Sequence, residues 1–141
     1  MTGYLLDTNV PSELTRERPD PRVAMWLKAQ VATTLFLSAV TIGEIRRGLL
    51  VLPPSRRRAD LESWFHNELL RWFQDRILPV THSVADRWGT LDGQHQMQGA
   101  PLNTADGMIA ATAAEHSLTL VTRYAKDFSD LGVDVFNPWE M

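Results

Sequence analysis

Gly3-Tyr4-Leu5-Leu6-Asp7-Thr8-Asn9 is a short apolar run cut off by a carboxylate, a hydroxyl and an amide. Strand-forming residues that end in polar groups read as a buried strand delivering those groups at its carboxyl end, where α/β folds keep their chemistry. Asn9 then reads as the N-cap of a short helix through Val10-Pro11-Ser12-Glu13-Leu14, ending near Thr15 to Arg18, with Pro11 suited to its first turn.

The same alternation continues outward from that stretch. After Pro19-Asp20-Pro21, the apolar residues Val23, Trp26, Leu27 and Val31 recur at helical spacing, and Thr33 to Ala39 follows as a β-prone second strand with Ser38 near its end. Thr41-Ile42-Gly43-Glu44 has the spacing of a capping box, opening a helix through Ile45, Leu49, Leu50 and Leu52 that Pro53-Pro54 stops. A further helix over about Ser55 to Gln74 places Leu61, Trp64, Phe65, Leu69, Trp72 and Phe73 on one broad stripe, a core face or in part a partner surface. Arg76 to Val80 is a third strand, and a helix follows from about Ser83 to Gln96 before Gly99-Ala100-Pro101 breaks the chain. Asn103-Thr104-Ala105-Asp106 precedes a helix of small residues, Gly107 to His116; Leu118 to Thr122 and Val133 to Phe136 are the fourth and fifth strands. Strands alternating with helices predict an α/β fold, a three-layer α/β/α arrangement on a mostly parallel sheet of about five strands.

Composition bounds the function. With 141 residues, 44% of them hydrophobic and 22% charged, the chain is read as a single domain over residues 1–141 with a sizeable core. Its lack of cysteine removes disulfides, thiolate nucleophiles and Cys-ligated zinc together. No apolar run approaches the roughly 18 residues of a membrane span, and Met1-Thr2-Gly3 leads straight into the first strand, so a soluble, cytoplasmic protein without a signal peptide is expected. A net charge of −3 argues against a general basic surface. Nucleic-acid contact then depends on local groups: Arg46-Arg47, Arg56-Arg57-Arg58, Arg71, and Arg123 with Lys126, of which Arg56 to Arg58 read first as a solvated helix face.

Several chemistries drop out. There is no G-x-G-x-x-G, no P-loop, no G-x-S-x-G elbow, and no ligand spacing among His66, His82, His95 and His116. Carboxylates remain. Asp7 follows the first strand, Glu44 opens the helix after the second, and Asp106 opens the helix before the fourth. In a parallel sheet Asp7 and Glu44 share one edge, and Asp106 joins them if its helix starts there. Each has a structural alternative as a cap or first-turn acid, but none of those alternatives accounts for all three together. Three carboxylates in one place repel unless a cation sits among them, and oxygen ligands without thiolates favour Mg²⁺ or Mn²⁺ over zinc.

Leu5-Leu6-Asp7-Thr8-Asn9-Val10, Leu37-Ser38-Ala39-Val40-Thr41-Ile42-Gly43-Glu44-Ile45, Ala105-Asp106-Gly107-Met108-Ile109-Ala110-Ala111-Thr112-Ala113, and Leu120-Val121-Thr122-Arg123 with Asp127-Phe128 together resemble PIN-domain ribonucleases of the VapC toxin type, including the FitB branch. The resemblance covers essentially the whole chain. It implies a PIN fold, Mg²⁺- or Mn²⁺-dependent endoribonuclease activity on RNA, a homodimer, and neutralisation by a small antitoxin, with DNA met only indirectly through that antitoxin. Asp7, Glu44 and Asp106 match the first three acids of the family. The fourth departs: where the family usually has T-R-D or T-R-N, Thr122-Arg123 is followed by Tyr124. Asp127, three residues on, matches the family's D-F pair as an auxiliary acid or a turn residue, and the departure puts a second metal ion in question.

The expected roles follow from the charges. Asp7 and Asp106 hold the metal, and Glu44 joins them or orients and deprotonates the attacking water. Thr8, Asn9, Ser38 and Thr104 are candidates for bonding metal waters or phosphate oxygens, with simple capping as the alternative. Arg123, then Arg46 and Arg47, are the candidate phosphate-binding cations. Competing readings are a response-regulator-like phosphoacceptor, for which Lys126 is a poor match, and a dehalogenase-like phosphatase, whose D-x-D is broken by Asn9. A degenerate PIN domain that only binds RNA or a partner is the third.

Overall fold

A computed structural model of the chain describes residues 3–141; Met1 and Thr2, read above as the lead into the first strand, lie outside the described residues. Five strands form: β1 (Tyr4–Leu6), β2 (Leu35–Ser38), β3 (Ile77–Leu78), β4 (Thr119–Val121) and β5 (Val135–Phe136). Each is apolar on both faces, as strands covered by helices on either side must be. The pleat therefore splits one short strand between two cores. Leu6, Leu35, Leu37, Val121 and Phe136 pack with Val10, Val23, Trp26, Ile45, Leu49, Phe65 and Phe73, whereas Leu5, Phe36, Leu78, Leu120 and Val135 pack with Ile109, Ala110, Ala113 and Phe128.

The helices supply those partners. On the first face lie α1 (Asn9–Glu13), α2 (Pro21–Ala29), α3 (Ala39–Leu50) and α4 (Arg56–Trp64), the last running through a π-helical turn at Phe65–Leu69 into α5 (Leu70–Trp72). On the other lies α7 (Thr104–Glu115), with α6 (His82–Met97) packed on it. Ile109, Ala110, Ala111 and Ala113 of α7 are buried, small side chains that let the helix approach the sheet closely. This is the expected three-layer architecture.

All pairings are parallel and the strand order is β3-β2-β1-β4-β5. β1 is central, with successive strands added first on one side and then on the other, so its carboxyl end is a topological switch point where a crevice opens. Leu6 lies opposite Val121, and Asp7 N extends that ladder by donating to Val121 O at 2.9 Å. Asp7 and Thr122, just past their strands, and Ser38, the last residue of β2, consequently gather at one edge.

Some local expectations change. Helix α3 starts at Ala39, because Ser38 ends β2 with extended backbone and its hydroxyl accepts from Val40 N at 3.0 Å. Thr41 is thus inside the first turn and the Thr41–Glu44 capping box does not form, which leaves Glu44 free for another partner. Likewise Thr8, and not Asn9, occupies the N-cap position of α1. The expected single helix over Ser55 to Gln74 is interrupted by the π-helical turn, which leaves Phe65, Leu69 and Phe73 buried but Trp72 54% exposed. Val31 lies beyond the end of α2 and is also exposed. Among the described residues, no helix is long and apolar enough to cross a membrane.

Candidate functional site

Asp7 is only 4% exposed, and its carboxylate is held by three donors. Thr8 N donates to Oδ1 at 2.8 Å; Asn9 Nδ2 and the Thr122 hydroxyl donate to Oδ2 at 2.9 and 2.8 Å. Burial raises the pKa of Asp7 and the nearby Glu44 charge adds to the rise, while the donors from Thr122, Thr8 and Asn9 oppose it. Each carboxylate oxygen accepts about two hydrogen bonds, so Oδ2 is filled and Oδ1 keeps an open direction.

Glu44 comes to this edge from the second turn of α3. Its Oε1 accepts from the Thr8 hydroxyl at 2.6 Å, and the Thr8 oxygen is 3.0 Å from the buried Thr41 hydroxyl. Glu44 Oε2 is 3.8 Å from Arg47.

Asp106 sits in the first turn of α7, its own N–H capped by Asn103 Oδ1 at 3.1 Å. Helix α7 leads directly into β4, so it runs against the sheet and its amino end reaches the carboxyl edge, the condition that brings Asp106 to Asp7 and Glu44. Burial pushes its pKa up to about 6, with further contributions from the charges on Asp7, Glu44 and Asp127. A cavity of about 310 Å³ is lined by these four acids together with Thr8, Asn9, Tyr124 and Phe128. Tyr124 lines this cavity, and Asp127 reaches it from the turn that follows.

The remaining candidates have other partners. Ser38 is fully buried and engaged as the α3 cap, and Thr104 opens α7 on the exposed side without lining the cavity. Arg46 is turned to α4 and the π-helical turn: it pairs with Glu62 at 2.7 Å, stands 3.0 Å from His66 Nε2 and stacks over Phe65 at 4.9 Å. Arg123 contributes its backbone, Arg123 N donating to Asn9 Oδ1 at 3.1 Å, while its guanidinium lies 5.7 Å over Trp139 and outside the cavity lining. Of the three candidate cations, Arg47 alone is next to a cavity acid. Arg57 and Arg58 donate to the carbonyls of Thr15 and Leu52 and tie α4 to its neighbours.

The PIN domain family model matches residues 4–133, and the chain is 39% identical over 136 residues to VapC ribonuclease Y4jK of Sinorhizobium fredii, covering 96% of this chain and 97% of that protein. The chain belongs to the PIN-domain family. Toxin FitB of Neisseria gonorrhoeae is 39% identical to this PIN domain over 135 residues, covering 96% of it and 97% of FitB. A solved structure of FitAB bound to an IR36 DNA fragment superposes with a TM-score of 0.91 at 38% identity, covering 98% of this chain and 96% of that one. The PIN domain is therefore of the VapC and FitB type.

Two residues of the PIN domain's site escape sequence reasoning. Thr122 reads as the end of a strand, yet it holds Asp7; Thr41 reads as a cap, yet its hydroxyl meets Thr8. The one available signal is that β1, β2 and β4 each end in a short hydroxyl or acid. As to a metal, the donor set is all oxygen, the chemistry a hard divalent cation takes. Among the described residues, no three Asp, Glu or His side chains stand close enough to enclose an ion by themselves.

Proposed function

We propose that this PIN domain is an endoribonuclease that hydrolyses RNA phosphodiester bonds with Mg²⁺, or Mn²⁺, held by Asp7, Glu44 and Asp106. The observation that carries the reading is the convergence of these acids and Asp127 on one cavity. When bound, the cation polarises the scissile phosphate and stabilises the charge that develops in in-line displacement. Asp7, Glu44 and Asp106 would hold the ion in part through its waters, as Mg²⁺ sites commonly do, since the acids do not close on a point. Asp7 offers Oδ1, with its rotation blocked by the two donors on Oδ2. Glu44, anchored at Oε1 by Thr8, keeps Oε2 either for the ion or to orient and deprotonate the attacking water, and Arg47, 3.8 Å from that oxygen, would meet the phosphate.

The reading includes a biological setting. We infer a cytoplasmic toxin of a toxin–antitoxin pair, acting as a homodimer, silenced by a small antitoxin and brought to DNA only through it; the likeness to toxin FitB and to the FitAB complex supports the toxin and partner parts of this reading. The candidate docking surface for the antitoxin is the groove of about 730 Å³ lined by Pro11, Leu14, Leu27, Trp64 and Trp72, whose apolar wall would take an apolar segment. The test is inducible expression of wild type and Asp7→Asn with mapping of new RNA 5′ ends. New ends and growth arrest with wild type alone are expected; equal arrest by both chains would exclude metal-dependent cleavage.

The open spacing of the acids and Tyr124 favour one second reading, a PIN domain that binds RNA or a partner without cutting. Calorimetry separates the two, because the second reading requires no Asp7-dependent Mn²⁺ binding.

A further inference from the structure

Asn137-Pro138-Trp139 is far from the acids in sequence and adds nothing to the lining of their cavity, yet hydrogen bonds join the two. The last rung of the β4–β5 ladder is Thr122 N to Phe136 O at 3.0 Å. Beyond it the chain carrying Arg123 and Tyr124 is exposed and has no strand to hold it. The Asn137 side chain supplies the next rung, its Nδ2 donating to Arg123 O at 3.0 Å. Its amide has only one workable orientation, because Oδ1 already accepts from Trp139 N at 2.9 Å. The same logic repeats at Asn9. Arg123 N donates to Asn9 Oδ1 at 3.1 Å, so Asn9 Nδ2 must face Asp7 Oδ2, at 2.9 Å. The far end of the chain of bonds is anchored: Trp139 is 6% exposed and its Nε1 donates to buried Glu13 at 3.4 Å.

We propose that Asn137 is a positioning residue for the Asp7 carboxylate, acting through the Arg123 backbone and the Asn9 amide; the proposal rests on the nuclease reading of the site. By holding Arg123 from its carbonyl side, Asn137 keeps Arg123 N aimed at Asn9. Asn9 in turn shares Asp7 Oδ2 with Thr122 and leaves Oδ1 directed into the cavity. Without the Asn137 rung, the Arg123–Tyr124 peptide keeps only the bond from Tyr124 N to the Thr122 hydroxyl, so the hold of Asn9 on Asp7 loosens while Thr8 N and Thr122 still bind the carboxylate.

The discriminating variant is Asn137→Asp. It keeps an oxygen for Trp139 N, so the turn at Pro138–Glu140 retains its cap, but it sets an oxygen against the Arg123 carbonyl where a donor had been. Three readouts are taken on the full chain: melting temperature, the Asn9 side-chain NH₂ signals in ¹H–¹⁵N spectra without metal, and Mn²⁺ affinity by calorimetry. The Asn9 signals are expected to shift and exchange faster. The Mn²⁺ Kd should rise roughly tenfold, the low end for loss of an outer-shell partner. Melting should fall by no more than the about 3 °C that one lost hydrogen bond accounts for in a chain of this size. Asn137→Ser, which keeps a capping oxygen but is too short to reach Arg123, serves if the aspartate variant fails to fold. Unchanged Asn9 signals, or wild-type Mn²⁺ affinity in either folded variant, would overturn the proposal. If wild type itself binds no Mn²⁺, the nuclease reading fails, while the Asn9 signals still decide the positioning role.

Discussion

The Thr122 hydroxyl stands 2.8 Å from Asp7 Oδ2, although 115 positions separate the two residues in sequence. Both are buried, and the Thr122 oxygen also accepts from Tyr124 N at 3.1 Å. Replacing the hydroxyl by a methyl group of the same shape leaves a buried carboxylate short of a donor. Thr122→Val is predicted to lower stability by about 1–3 kcal/mol at neutral pH. Urea unfolding in EDTA measures it, and a variant as stable as wild type would show that the bond contributes nothing.

Asp106 predicts how metal-free stability depends on pH. Its folded pKa, about 6, is above the ordinary 3.8, so the folded state binds its proton more tightly than the unfolded chain does. The stability this supplies is complete below 3.8 and is lost as pH rises through about 6. The difference in unfolding free energy between wild type and Asp106→Asn should therefore fall across that window. A difference that stays flat, or rises, would contradict the shift.

Cation binding should reverse that loss. An ion that binds only the folded chain at a hundred times its Kd adds about 2.7 kcal/mol. Mn²⁺ is thus expected to raise the melting temperature of wild type at neutral pH, and to leave Asp7→Asn and Asp106→Asn nearly unchanged. An equal rise in all three would place the ion elsewhere.

Gly107 follows Asp106 and meets the ring of Trp88 on α6. A Cβ there would lie 2.7 Å from Trp88 Cδ1, and Leu102 closes the other side at 3.5 Å. Nothing bonds the indole Nε1 among the described residues, and the contact is too short to stand, so the Trp88 ring and the first turn of α7 have to part. Gly107→Ala should cost about 1–3 kcal/mol by overpacking. RNA cleavage should drop further than stability accounts for, because Asp106 moves with the turn. Full cleavage at a temperature where the variant is folded would refute this.

Glu13 governs the acid side. It is 5% exposed and accepts from Asp20 N, Arg16 Nη1 and Trp139 Nε1 at 2.9, 3.2 and 3.4 Å. Burial raises its pKa, but these donors outweigh that and hold it below the ordinary 4.5. Its stability contribution is present above 4.5 and lost as pH falls through the lower, folded value. Glu13→Gln should cost about 1–3 kcal/mol at neutral pH. The deficit should shrink on acidification, and an equal deficit at both ends would point to packing and not to charge.

Much of this was legible without coordinates. Four apolar residues ending in Asp7-Thr8-Asn9, and four later runs of the same kind, specify strands covered on both faces, because burial patterns are local and strand-forming composition is enough to show them. Asp7, Glu44 and Asp106 could be singled out because the end of a parallel strand and the start of a helix fall on one edge whatever the details. Only the tertiary structure decided which donors each acid receives. Thr122 reaches Asp7 because β4 pairs with β1 in a register that sets Leu6 against Val121. Arg46 is drawn to Glu62 because α4 folds back beside α3, and Arg123 acts through its backbone because Asn137 follows β5. Hydrogen bonds join groups by direction and distance in space, and residues more than a hundred positions apart carry no mark in the sequence of which ones will meet.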